Sequence, residues 1–129
     1  MRYIRPSLHC GFLLLTLFAH LAKAAPLDGI WQHPEDPVWI KVSTSDGLGV
    51  AVRNDEQPDT VGFSVVKDLV ASDQSARWEG QVFVPQLGRY KAVSIALPDD
   101  QTLRMTVKFG FIRRSVVWSR VVSERQVEP

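Results

Sequence analysis

The residues best equipped for chemistry lie close together near one end of the chain: Asp28, His33, Glu35 and Asp36 put one imidazole among three carboxylates. Carboxylate oxygens and a neutral imidazole nitrogen are ordinary donors for a divalent cation. The spacing fits no ligand motif, however, and Pro34 and Pro37 break any helix or central strand that would aim these side chains at one point. The expectation is a solvated loop with no metal site. A serine nucleophile would need His33 as its base, and no Gly-x-Ser-x-Gly elbow is present to carry it. Asp99 and Asp100 are adjacent carboxylates, but they follow Pro98 in ordinary turn chemistry, and neighbouring strand residues point apart. No catalytic residue, no enzymatic activity and no cofactor are expected.

Two other groupings suit binding. Arg104, Lys108, Arg113, Arg114, Arg120 and Arg125 concentrate positive charge late in the chain, opposed between the first and last of them only by Glu124. Arg104, Lys108, Arg113 and Arg114 form a candidate interaction patch for an anionic ligand, a lipid headgroup or an acidic partner, although strand faces are often simply solvated by such residues. The aromatic residues include Trp31, Trp39, Trp78, Trp118, Phe63, Phe83, Phe109, Phe111 and Tyr90, which can fill a core or wall a pocket. Trp118 and Phe109 alternate with aliphatic residues and read as core. Trp39 shares a face with Lys41 and Ser43, and Lys91 shares the apolar face of Val93, so both suit a rim. The candidate ligand-lining set is Trp39, Trp78, Phe83, Tyr90 and Lys91.

The elements that must position these groups are strands, because apolar residues recur at every second position. Thr102 to Phe109 turns Leu103, Met105, Val107 and Phe109 to one side and Thr102, Arg104, Thr106 and Lys108 to the other. Lys91 to Leu97 precedes it across the turn residues Pro98 to Gln101, and Ser115 to Val122 follows. Val38 to Ser43 joins Leu48 to Arg53 through Ser45-Asp46-Gly47, Val61 to Val66 and Trp78 to Val84 add two more strands, and Gly29-Ile30-Trp31 starts the first. Arg53 to Asp59 reads as a loop. The sum is an all-β, small antiparallel up-and-down barrel of about eight strands, since consecutive hairpins keep neighbours adjacent and closure removes sheet edges. An interior of that size is filled by side chains or holds one small ligand, so no roomy cavity is expected.

At 129 residues the chain has room for one core, and 45% hydrophobic with 22% charged residues is ordinary for a globular protein. Arg2 and Arg5, the apolar run Gly11 to Ala19, and Ala22-Lys23-Ala24 follow the order of a secretory signal peptide, with His20 and Lys23 cutting the run short of a membrane span. The reading is a signal peptide over 1–24, cleaved after Ala24, and a single β-barrel domain over 25–129. Cleavage removes Cys10, the only cysteine, which excludes a cysteine nucleophile or a zinc–cysteine site in the mature chain. Losing Arg2, Arg5 and Lys23 takes the formal charge from +1 to −2, which disfavours nucleic acid as a partner. Localisation in the periplasm or outside the cell follows, with no integral membrane span after cleavage.

The segment Trp78-Glu79-Gly80-Gln81-Val82-Phe83-Val84-Pro85-Gln86-Leu87-Gly88, followed by Leu103-Arg104-Met105, Gly110-Phe111-Ile112, Arg114-Ser115 and Trp118-Ser119-Arg120-Val121, resembles the bacterial secreted family called domain of unknown function 2147. The match is good from Gly62 to Val122 and weaker from Asp28 to Asn54. The chain departs from the family where its Tyr-Asp-Pro is Phe83-Val84-Pro85, where its Arg-Gly-Tyr falls on Thr106-Val107-Lys108, and in lacking the early cysteine pair. A polar site built from that Asp, Arg and Tyr would be lost here. The resemblance implies a lipocalin-like barrel, and with it a structural role in barrel closure for Trp31 of Gly29-Ile30-Trp31, covered by Arg120 from the last strand.

The expected function is that of a non-enzymatic exported barrel binding a small apolar or amphipathic molecule. The alternative is a filled barrel that serves as a protein-interaction or envelope-associated module through its basic last hairpin. The expected partner is accordingly a small apolar molecule or an envelope protein.

Overall fold

Alternation decides which side of each strand faces inward, and turn residues decide where each strand ends. The computed structural model describes residues 26–122. The strands are β1 (Gly29–Gln32), β2 (Val38–Ser43), β3 (Leu48–Asn54), β4 (Ser64–Ala71), β5 (Arg77–Val84), β6 (Arg89–Asp99), β7 (Thr102–Phe109) and β8 (Ile112–Arg120). Each pairs antiparallel with its neighbours in sequence, and β8 returns to β1, which closes the barrel through Trp31↔Arg120 and Gln32↔Ser119. Closure leaves the described strands without a free edge on which another chain could add a strand. The leader read over 1–24 lies outside the described residues.

Two strands differ from their sequence-based bounds by more than two residues. The sequence places a strand at Val61 to Val66, but a 3-10 turn at Pro58–Thr60 folds Val61 to Phe63 back, with the Gly62 amide donating to the Ala51 carbonyl. The strand begins at Ser64 and runs on through a register shift between Lys67 and Val70, where Asp68 takes a φ of 54° and breaks the alternation. β8 starts at Ile112, before the expected Ser115, because Gly110, at φ 62°, turns the chain so tightly that pairing extends to Phe109↔Ile112.

Cross-strand partners form rows around the inner wall. Trp78, Ile95, Met105 and Val116 make one, and Gly80, Val93, Val107 and Arg114 make the next. The largest fully buried side chains are Trp31, Leu27, Ile40, Ile95 and Leu103. Each is worth about 1.5 to 3 kcal/mol when removed from water.

One end of the barrel is plugged. The Trp31 Nε1–H donates to the Leu27 carbonyl at 3.0 Å, and the Arg120 guanidinium lies 4.2 Å above the Trp31 ring. That guanidinium also donates to the carbonyls of Asp28 (3.0 Å), Asp100 (2.6 Å) and Pro26. Gly29 is required beside it: its φ is +140°, and a Cβ there would stand 2.7 Å from Arg120 Nη1. The first residue of Gly-x-Trp is thus the space into which the arginine folds.

Candidate functional site

The other end of the barrel is open. Its walls are lined by small and β-branched residues, among them Val38, Ala51, Val65, Val82, Val107 and Val116, above a floor that includes Met105 and Trp118. They enclose a cavity of about 740 Å³. The sequence-based expectation of no roomy cavity is corrected here. Barrel diameter follows from strand number, but free volume follows from how residue size is distributed along the axis. Here Trp31 and Trp78 lie in the buried core away from the cavity, whose lining places valines and Ala51 beside Phe63, Phe83 and Phe109.

Most polar groups at the mouth already have local work. The Asn54 Oδ1 accepts from the Glu56 and Gln57 amides, its Nδ2 donates to Thr60 Oγ1 at 3.0 Å, and the Thr60 hydroxyl donates to the Gln57 carbonyl. These bonds staple the β3–β4 loop. The His33 Nδ1 accepts from the Asp36 amide at 2.9 Å and the Glu35 amide at 3.2 Å, which puts the ring proton on Nε2. The Asp36 carboxylate lies 3.7 Å from the same nitrogen. The His33 ring stands edge-on to Trp118, centroids 4.9 Å apart. The Trp118 Nε1–H is buried without an acceptor among the described residues.

Arg114 is the cation of this site. It pairs with Val107 and so belongs to the inward row, at the exposed lip of the cavity. Counting back in twos from Trp118 through Val116 gives this orientation from sequence alone. Lys108 and Arg113 are cross-strand partners on the outer side, and Arg104 points outward further down β7. The proposed four-residue patch is thus divided: three members outside, one inside.

The candidate lining residues are also dispersed. Phe83 lines the cavity. Trp78 lies in the core cluster. Trp39 is on the outer face beneath Arg53, whose guanidinium sits 4.4 Å from its ring. Tyr90 lies with Phe63 and Phe83 in an aromatic cluster, its hydroxyl donating to the Ser64 carbonyl at 2.7 Å, with the Lys67 ammonium 4.1 Å from its ring. That cluster ties β4 to the β5–β6 hairpin. Lys91 belongs to the inner row beside Val82, its ammonium 5.9 Å from the Phe109 ring. The valines and Ala51 carry no sequence signal separating cavity wall from core filling.

The early acidic cluster does not assemble. β1 carries Asp28 to the plugged end, where its Oδ1 accepts from the Thr44 amide at 2.7 Å, and His33 and Asp36 to the mouth. Among the described residues no group of three His, Cys, Asp or Glu side chains is placed to hold a metal ion. Asp99 accepts from the Gln101 amide, as turn chemistry requires. Among the described residues one ion pair perturbs ionisation: Asp55 accepts from Arg53 at 2.7 Å, which lowers the carboxyl pKa and raises that of the guanidinium.

A second depression, about 870 Å³, lies on the outside of β5 to β8 among Arg77, Glu79, Arg89, Lys108 and Arg113. Long solvated side chains bound it, whereas the mouth cavity is walled by the barrel itself. The inner cavity is the better-built site.

Fold and site together define an eight-stranded up-and-down barrel, plugged by a tryptophan–arginine stack at one end and open through an apolar cavity at the other. The sequence pattern of the family described as "Uncharacterized protein conserved in bacteria (DUF2147)" matches residues 29–120, and the chain belongs to that family. No protein with a curated description and no solved structure matches it.

Proposed function

We propose that the chain is exported and, without catalysing a reaction, binds one small amphipathic molecule in the mouth of its barrel. The observation that carries this reading is the cavity of about 740 Å³, walled mainly by aliphatic and aromatic side chains. Sites for small ligands typically measure about 300 to 1,000 Å³, with apolar walls and a few polar groups to orient the occupant. An acyl or ring system would enter the valine-lined space, each buried methylene contributing about 0.8 kcal/mol. Its polar end would remain at the lip beside Arg114 and the His33 Nε2–H. A filled barrel acting only through its basic hairpin is the weaker reading, because Arg114 of that hairpin turns toward the cavity.

Native mass spectrometry of protein purified from its own compartment tests the proposal. A co-purifying small molecule is expected, on a chain whose mass places its first residue near Ala25. Repeated isolation without any adduct, together with failure to bind an anilinonaphthalene sulfonate probe, would remove the binding reading. A mature start elsewhere would remove the export reading separately.

A further inference from the structure

We propose that the open end docks on an anionic lipid surface, led by Phe111 and Ile112 at the tip of the β7–β8 turn. Phe111 is fully exposed, Ile112 is 59% exposed, and Leu87 on the neighbouring β5–β6 turn is 45% exposed. A phenylalanine held in water at a turn tip forgoes the burial that usually stabilises such a ring. Directly below it, Lys108 and Arg113 are cross-strand partners, an arrangement of like charges that destabilises a hairpin unless an anion faces it. With Arg114 they make three cations around the tip, and no carboxylate occurs from Gln101 to Val122.

The geometry favours a lipid interface over a protein. The apolar groups are separate loop tips around a mouth, suited to shallow insertion among headgroups, and they do not form one flat packable face. The opposite lip is acidic: Glu35 and Asp36 lie in the β1–β2 loop, and Glu56 and Asp59 in the β3–β4 loop, where Asp55 is paired with Arg53. The barrel therefore tilts, with the β5–β6 and β7–β8 turns down and the acidic lip away from the surface. In so far as the ligand proposal holds, that tilt sets Arg114 and the cavity against the headgroups, so an amphiphile could pass between leaflet and barrel with little exposure to water.

Sedimentation of the mature full-length chain with phosphatidylcholine vesicles, with and without phosphatidylglycerol, tests the docking. Binding to the anionic vesicles is expected, weakening with salt, and little to phosphatidylcholine alone. Phe111→Ser, and Lys108→Glu combined with Arg113→Glu, should each lower vesicle affinity about tenfold or more with an unchanged circular dichroism spectrum. Phe111→Trp should add emission that brominated acyl chains quench. Equal binding to both vesicle types, no binding to either, or wild-type behaviour of Phe111→Ser would overturn the proposal. So would a protein partner held through Lys108 and Arg113 while vesicles stay unbound. Probe binding measured without vesicles keeps the two ideas apart: Phe111→Ser should retain it, and vesicle docking without probe binding would fail the cavity reading alone.

Discussion

Arg120 does three jobs with one planar group: it covers the Trp31 ring, it donates to the carbonyls of Pro26, Asp28 and Asp100, and it occupies the space that Gly29 leaves. A guanidinium over an indole contributes about 0.5 to 2 kcal/mol, and the bonds to carbonyls add to that. Arg120→Ala should therefore cost about 2 to 4 kcal/mol, read as a lower urea midpoint at unchanged slope. Arg120→Lys should recover little, because an ammonium cannot stack and fork at once. A loss below about 0.5 kcal/mol would show that the plug is held by other contacts. At the opposite end Asp55 makes a smaller, pH-dependent contribution. Its folded pKa is lowered by the bond from Arg53, so the stabilisation is present above the unfolded value of 3.8 and is lost as the pH falls through the depressed folded value. Carboxyl NMR titration should give Asp55 a midpoint below 3.8, and Asp55→Asn should abolish that acid-side dependence. The glycine, tryptophan and arginine of the plug are legible in the sequence through the family resemblance. The Arg53–Trp39 stack is not, because outward alternation alone cannot tell a rim residue from one covered by its cross-strand neighbour.

At the scale of elements, the strand hardest to read is the one that bends. Alternation from Ser64 is interrupted at Asp68, whose positive φ re-aims the chain so that Leu69 turns into the core and its amide donates to the Gly47 carbonyl. Six of the eight strands fall within two residues of their sequence-based ends, because their alternation is unbroken. β4 and β8 do not, the first because of this bulge and the second because Arg113 and Arg114 hide its period. The β4 bend is accommodated on β5 by Gly80, where a Cβ would lie 2.9 Å from the Lys67 carbonyl oxygen and 3.3 Å from the Leu69 Cα. Both neighbours are backbone and cannot move without shifting the strand. Gly80→Ala is expected to cost about 1 to 3 kcal/mol in thermal or urea unfolding, as overpacking in a core does. Gly88→Ala, with φ +62° and nothing within 4 Å, should cost only the backbone strain of about 1 kcal/mol. Equal effects would mean that β4 gives way freely and that its bulge is not held by Gly80.

For the whole molecule, what matters is where along the barrel axis each inward side chain falls. Alternation identified which residues face inward, but it is blind to how far along the axis each one lies, and the cavity comes from that second coordinate. Trp31 and Trp78 fall in the core away from the cavity, while Ala51, Val65, Val82, Val107 and Val116 fall on its wall beside Phe63, Phe83 and Phe109. The cavity can be filled at one position. Val116 is half-buried, faces inward opposite Met105 and lines the cavity, so Val116→Phe puts a ring into the space an acyl chain would occupy. Probe affinity should fall about tenfold or more, with unfolding within about 1 kcal/mol of wild type because the new ring enters open volume and not packed core. Val117, its neighbour on β8, is 40% exposed on the outer face, and Val117→Phe should leave both quantities unchanged. A Val116→Phe barrel that binds the probe as well as wild type would locate the binding surface outside the cavity. The outer depression beside Arg77 and Arg89 would then be the place to look, since Val116 is not among the residues that line it.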